Sequence, residues 1–434
     1  MYLGIDFGTS GVRAIAINND QSIVAETRTS YEINNIQSWE LALKAVISQI
    51  PIEVRQKLQA IAIDGTSSTV LICNSLGQAI YPTLLYNDTR GSEVLAELRA
   101  IAPVGNITIS STSSLVKLLW LVKNLDFNLN FKEQNYYFLH QADWLSYLLH
   151  GQLGISDYHN ALKLGYDPQN LQYPDWLQGL EISLKTSLQI SKLLPEVLIP
   201  GQAITKIQPA TATKWEINPQ CLICAGTTDS TASFIASGAK SVGEAVTSLG
   251  STLVLKILSP KPITNSDYGI YSHRFGNLWL VGGASNSGGA VLKQFFTDAE
   301  LASLSLDIVS NSDLLNDLQN NPKTNLNYYP LPQMGERFPI NDPQMLPRIT
   351  PRPASNHEFL YGLLDGIAKI EGDGYQLLQE LGASAPTKIL TTGGGANNSL
   401  WTVIRQKYLD TEIIKPQHNQ AAYGSAILAL RGVR

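Results

Sequence analysis

The sequence predicts an α/β protein of two domains. Three observations carry this. Short apolar runs alternate with stretches of helical periodicity, as in chains that weave strands and helices together. Several of those runs end in a polar turn containing glycine and hydroxyl residues. An opening hairpin pattern at residues 2–17 returns in weaker form at 241–255, as expected of two domains of related build. The 434 residues also exceed what one core usually organises. The boundary is expected after Gly238, giving domains 1–238 and 239–434.

Taken in order, Tyr2–Ile5 and Val12–Ile17 read as antiparallel strands joined by the turn Asp6–Gly11. Apolar residues Leu41, Leu43, Val46, Ile47 and Ile50 mark a helix over 39–50. Gln59–Ile63 is a buried strand that ends in Asp64–Thr69, and Val70–Cys73 is another strand. Residues 91–122 read as mainly helical, and Asp143–Leu149 as an amphipathic helix stopped by Gly151. Segment 156–200 reads as loop-rich. Leu222–Ala225 is a strand ended by Gly226–Asp229, with a helix over 230–237. In the second half, strands are expected at 241–247 and 253–255, joined by Ser248–Thr252. Residues 315–356 are rich in Pro and Asn and read as loops. Helices over 358–370, 399–408 and 420–430 and a strand over 388–392 complete the chain.

The polar turns carry the chemistry. In Asp6–Arg13, the glycines Gly8 and Gly11 leave backbone N–H groups open, while Thr9, Ser10 and Arg13 offer hydroxyls and a cation. All of these can hold phosphate oxygens. Asp6 among them would repel a phosphate unless a divalent cation lay between. A hairpin with a polar turn also explains the stretch. Asp229, at a strand end before a helix, is placed to accept a hydroxyl proton during attack on phosphorus. Gly393–Gly395 form a strand-to-helix turn where backbone approaches a ligand closely, or simply a bend. Asp88 and Arg90 suit sugar hydroxyls, a closing loop or an exposed turn equally. No P-loop and no G-x-G-x-x-G pattern occurs, which argues against a dinucleotide-dependent dehydrogenase.

Composition narrows the function classes. Apolar residues make up 44% and charged residues 15%, so a disordered chain is not expected. A net charge of -5 gives no basic surplus for nucleic acid. There is no apolar run of about 18 residues and no basic leader pattern over residues 1–20. The expectation is a soluble protein with no membrane partner, cytoplasmic, or plastid if a transit peptide was removed. Cys73, Cys221 and Cys224 are expected to be reduced core residues, the last two within an apolar strand.

In this order, the motifs resemble those of the FGGY carbohydrate kinases. Gly4–Arg13 resembles the family's first phosphate loop, and Asp64–Gly65–Thr66 its second hairpin. Asn87–Arg90 is similar to the sugar-contacting W-x-D-x-R stretch, with Tyr86 where the family has tryptophan. His140–Leu145 with Leu148–Gly151 resembles the D-W/Y-L…L-T-G helix, and Ser156–Ala161 the segment after it. Gly226–Asp229 is similar to the G-x-x-D turn, Ser248–Thr252 to the G-T-S-S/T turn, Gly393–Asn397 to the adenosine turn, and Ala421–Ala426 to the closing helix.

The resemblance implies two ribonuclease H-like domains of the actin-like ATPase, hexokinase-type class, around a central cleft. It implies ATP and Mg²⁺ as cofactors and a small sugar as substrate. Asp229 would be the base, with Asp6 and Thr9 also catalytic. Gly8, Thr9, Ser10, Arg13, Gly250, Ser251, Gly394, Gly395 and Asn397 would bind the nucleotide. Ser67, Ser68, Asp88 and Asp229 would bind the sugar, with Thr69 a further candidate, and Asp6 and Asp229 would hold the metal. The short chain and the Asp64–Thr69 stretch look most like members acting on D-ribulose, with D-xylulose next; an ATPase or sugar sensor without kinase activity is the other class. A monomer or homodimer is expected.

Overall fold

The computed structural model describes residues 1–125, 135–180, 190–320 and 326–434. They form two compact units, residues 1–238 with 418–434, and residues 239–417. The break after Gly238 is where the sequence places it. The second domain, however, does not run to 434: the C-terminal helix Ala421–Arg431 belongs to the first unit. Its residues Ala421 to Leu430 are all buried, and small side chains let it seat closely on that unit's sheet.

The first unit contains strands β1 (Tyr2–Gly8), β2 (Gly11–Ile17), β3 (Ile23–Thr29), β4 (Ala60–Gly65), β5 (Val70–Asn74), β6 (Tyr136–His140), β7 (Ile155–Asp157), β8 (Glu196–Leu198), β9 (Ala203–Lys206) and β10 (Leu222–Thr228). The main sheet has the order β3-β2-β1-β4-β10-β9. β1, β2 and β3 form an antiparallel meander, while β1, β4 and β10 run parallel. β5 pairs with β6 and β7 with β8 outside this sheet. Strand β1 runs on to Gly8, so the expected six-residue turn narrows to Thr9 and Ser10 between the paired Gly8 and Gly11.

Helices of this unit include α1 (Ile36–Ser48), α2 (Ser114–Asn124), α3 (Gln141–His150) and α4 (Asp229–Ala236). Helix α1 starts earlier than its apolar period suggests, because Asn35 Oδ1 accepts hydrogen bonds from the N–H groups of Gln37 and Ser38. Leu3, Ile5 and Phe7 of β1, Ile61 and Ile63 of β4, Ile223 of β10, Trp39, Leu43, Val46 and Ile47 of α1 and Trp144 of α3 share one core. The 91–122 stretch is less helical than expected. Pro103, Gly105 and the hydroxyl-rich run to Ser113 favour turns, and Asn106 Oδ1 accepts from Thr108 N at 3.0 Å. Regular helix resumes at Ser114, capped by Ser113.

The second unit carries β11 (Glu244–Leu249), β12 (Leu253–Ser259), β13 (Tyr271–Phe275), β14 (Leu278–Ser285), β15 (Lys388–Thr392) and β16 (Glu412–Ile414), in the order β13-β14-β12-β11-β15-β16. Its main helices are α5 (Asp298–Ser310), α6 (Asn356–Glu380) and α7 (Ser399–Arg405). The β13–β14 hairpin escapes the sequence reading, and the helix Ser312–Asn320 runs into the start of the stretch read as loop from 315. Leu255, Ile257, Val281, Phe338, Phe359, Leu363, Ile367 and Ile389 lie in its core. In both units a meander of antiparallel strands is followed by two more strands parallel to its first: β3-β2-β1-β4-β10 corresponds to β14-β12-β11-β15-β16. The faint echo between 2–17 and 241–255 is therefore the first hairpin of each unit. Among the described residues, no helix is long and apolar enough to cross a membrane.

Candidate active site and nucleotide cavity

In the first unit the parallel register sets the chemistry. Asp6 on β1 pairs with Asp64 on β4, and Asp64 pairs with Thr227 on β10. Three adjacent parallel strands thus end side by side, the place where α/β sheets gather ligand groups. Strand β10 reaches this register through an irregularity between Cys224 and Thr227. Gly226 permits it, since a Cβ there would lie 1.9 Å from Ile63 O. Asp229 follows as the first residue of α4, half-buried, with Ser230 N donating to its Oδ1 at 2.6 Å.

Asp64 is fully buried. Its Oδ2 accepts from Ser425 Oγ at 2.6 Å. Burial and then the charge of Asp6 push its carboxyl well above the usual range, so of the two hydrogen-bonded carboxyls Asp64 is the one that favours the protonated form. Asp6 is itself pushed up to about 6 by burial, with Asp229 adding to the shift and the bond from Asp64 and the Arg13 charge opposing it. Apart from this pairing, neither Asp6 Oδ1 nor Asp64 Oδ1 has a hydrogen-bond donor among the described residues. Such a cluster fits a cation, which would relieve the charge crowding. Among the described residues, no group of three or more His, Cys, Asp or Glu could hold an ion. Magnesium is usually held by one or two carboxylates, with water and phosphate oxygens completing its shell, so the residues fit it.

The other predicted residues of this unit separate into groups. Thr9 and Ser10 are exposed at the hairpin tip, and Arg13 lies opposite Asp6 with its guanidinium 3.4 Å from Glu26. Gly8 carries no steric demand, because a Cβ there would make an ordinary contact 3.5 Å from Asp6 Oδ1. Ser67 and Ser68 form the turn after β4, where Ser68 has a left-handed φ of 62° and a buried Oγ with no hydrogen-bond partner among the described residues. Thr69 is already engaged, with its Oγ1 2.6 Å from that of Thr66 and accepting from Tyr86 N at 3.0 Å. Asp88 accepts from Arg90 Nε at 2.9 Å and from Arg90 N at 3.1 Å.

Sequence reasoning missed several members. Asp64, read as the start of the second hairpin, is the hydrogen-bonded neighbour of Asp6. Gln141 Oε1 accepts from Thr66 N at 3.1 Å, and Tyr31 OH donates to Gly8 O at 2.9 Å. His159 Nδ1 lies 2.6 Å from Thr227 Oγ1. Lys117 is fully buried, and burial lowers its ammonium pKa to about 7 against the opposing pull of Asp88. A lysine inside the apolar run Leu115–Val122 was the available signal for it.

In the second unit β11 and β15 are parallel, with Ser248 paired to Thr392, so the turns after them emerge together. Gly393 takes a positive φ of 81°, and a Cβ there would lie 2.6 Å from Leu249 O. The two turns line a cavity of about 830 Å³. Gly250, Ser251, Gly394, Gly395 and Asn397 all line it, together with Leu301, Ala302 and Ser305 of α5 and Trp401 of α7. This mixture of apolar wall and exposed backbone suits a flat ring carrying a charged tail. Beneath it, Arg405 binds Glu371 through Nε at 2.6 Å and through a second nitrogen at 2.8 Å. Thr247 donates to the same carboxylate, and Arg405 donates to Thr391 at 2.8 Å. A fully buried, two-point ion pair thus joins the strands that carry both turns.

Two α/β units with the same strand plan, one gathering carboxylates beside a hydroxyl turn and the other lining a cavity with glycine turns, fit a nucleotide-dependent phosphotransferase. The chain belongs to the FGGY family of carbohydrate kinases: the family's N-terminal domain matches residues 1–236 and its C-terminal domain residues 245–433. It is an ATP-dependent sugar kinase. A xylulose kinase from Staphylococcus xylosus is 22% identical over 457 residues, covering 99% of this chain and 90% of that relative. A gluconokinase from Bacillus subtilis is 22% identical over 455 residues, covering 99% and 86%. The fold is similar to that of a ligand-bound xylulose kinase from Lactobacillus acidophilus, with a TM-score of 0.80, 17% identity and coverage of 99% of this chain and 89% of that one.

Proposed function

We propose that the protein phosphorylates the terminal hydroxyl of a ketopentose, with D-ribulose as acceptor and D-ribulose 5-phosphate as product. The observation that carries the reading is the carboxylate cluster at the ends of three parallel strands, in which Asp229 begins a helix and its charge reaches Asp6. Asp229 takes the proton of the C5 hydroxyl as its oxygen bonds to the γ-phosphorus; the bond from that phosphorus to the bridging oxygen breaks and ADP leaves. Ser67, Ser68 and Asp88 hold the sugar. Thr9, Ser10 and Arg13 hold phosphate oxygens, and the cavity of the second unit takes the adenosine. Asp6, with Asp229, holds Mg²⁺, which when bound neutralises developing phosphate charge. D-xylulose is the second reading, favoured by the xylulose kinases among the relatives.

A coupled ADP-release assay with ATP and Mg²⁺ tests this. It should cover D-ribulose, D-xylulose, L-ribulose, D-gluconate and glycerol, with product mass checked for added phosphate. A higher kcat/KM for D-ribulose than for the rest is expected. A lead for D-gluconate would reject the ketopentose, and ADP release without any sugar phosphate would reject transfer to these acceptors.

The nucleotide assignment has its own test. A Cβ at Gly394 would meet nothing within 4 Å, so Gly394→Val is expected to leave the melting temperature unchanged while its side chain occupies the cavity lining. KM for ATP should rise about tenfold, the cost of about 1.4 kcal/mol of binding. An unchanged KM for ATP would place the adenosine elsewhere.

A further inference from the structure

Helix α2 ties together two segments that are far apart in sequence. Lys117 Nζ donates to Ser68 O at 2.7 Å and to Leu85 O at 2.6 Å. The first acceptor belongs to the turn after β4, and the second opens the segment that carries Asp88 and Arg90. One helical turn further on, the guanidinium of Arg90 lies 5.1 Å from the centre of the Trp120 ring. Tyr86 N donates to Thr69, which links the same two segments directly.

A fully buried ammonium is a costly choice for this position. Leu115, Val116, Leu118 and Leu119 around it are buried and apolar, so a leucine or methionine would fill the space at lower desolvation cost. What an apolar side chain cannot do is satisfy two carbonyls belonging to different segments. The turn it holds is a strained one, with Ser68 in the left-handed region and its hydroxyl without a partner among the described residues.

We propose that Lys117 is a positioning residue for the sugar: by clamping the carbonyls of Ser68 and Leu85 it fixes the Ser67–Ser68 turn and the Asp88 segment as one rigid acceptor site. The inference rests on the reading above that these two segments hold the sugar. It deepens that reading by naming the residue that keeps them in register.

Steady-state kinetics of Lys117→Met, with the sugar that the wild type phosphorylates, provide the test. KM for the sugar should rise about tenfold or more, since small misplacements of binding groups are expensive. KM for ATP should stay within about twofold. Lys117→Arg keeps the charge, but its planar fork matches two divergent carbonyls poorly, so an intermediate sugar KM is expected. It also serves if Lys117→Met does not fold. Unchanged sugar KM in these variants, or equal rises in both KM values, overturns the inference. Hydrogen exchange on the wild type needs no variant: added D-ribulose or D-xylulose should slow residues 66–70 and 85–91 together. Protection of one segment alone overturns the clamp. A wild type that phosphorylates no sugar sinks the ketopentose reading and this inference with it. Normal wild-type transfer with an unaffected Lys117→Met sinks the inference alone.

Discussion

Replacing Asp229 with alanine is expected to lower kcat by about 10²–10⁴, the usual contribution of a positioned general base, while ATP affinity changes little. The neighbours explain why this carboxylate carries the proton. Asp64 is fully buried, its carboxyl is pushed well above the usual range and its Oδ2 is taken by Ser425, so it is poorly placed to meet a sugar hydroxyl. Asp6 accepts the bond from Asp64 and lies opposite Arg13, which suits a role beside phosphate and cation. Asp229 is only half-buried and begins α4, with Ser230 N donating to its Oδ1. Sugar-dependent ADP release gives kcat, and titration calorimetry with ATP gives the affinity. Asp229→Asn should behave like the alanine variant, because an amide keeps the shape but cannot take the proton. Transfer within about tenfold of wild type would move the base to Asp6. A parallel loss of ATP binding would show instead that Asp229 serves mainly through the metal.

The motifs were legible because their residue types are constrained locally. A glycine, hydroxyls and an acid after a β-run can be read from a few residues, and all five nucleotide candidates of the second unit do line one cavity. What could not be read was contact set by register. In the sequence Asp64 closes an apolar run much as Asp229 closes another, and only the pairing of β1 with β4 shows that Asp64 lies within the strand beside Asp6. Lys117 stands out in the apolar run Leu115–Val122, but only the folded chain shows that its partners are the carbonyls of Ser68 and Leu85. The final helix was recognisable from its small and apolar residues, but these say nothing about which unit it covers. That is decided some 400 residues away, by a glycine in β1.

That glycine yields the largest expected effect on stability. A Cβ on Gly4 would lie 2.0 Å from Ala422 O and 2.1 Å from Ala426 N. Both are backbone atoms of the C-terminal helix, so no side chain can swing aside to make room. Gly4→Ala must lift the helix or bend β1. Overpacking of this kind costs about 1–3 kcal/mol and occasionally more, and the upper end is expected because two backbone clashes coincide. For a unit of this size the melting temperature should fall by about 6–12 °C. The lifted helix also carries Ser425, whose hydroxyl holds Asp64 in place beside Asp6. The variant should therefore lose kcat as well as stability, even well below its melting temperature. Ser425→Ala separates the two effects: it removes the bond to Asp64 without adding bulk, so kcat should fall with a much smaller loss of stability. Thermal melts and transfer rates of both variants decide the matter. An unchanged melting temperature in Gly4→Ala would mean that the helix does not rest on β1. Full activity in Ser425→Ala would mean that Asp64 keeps its place through Asp6 alone.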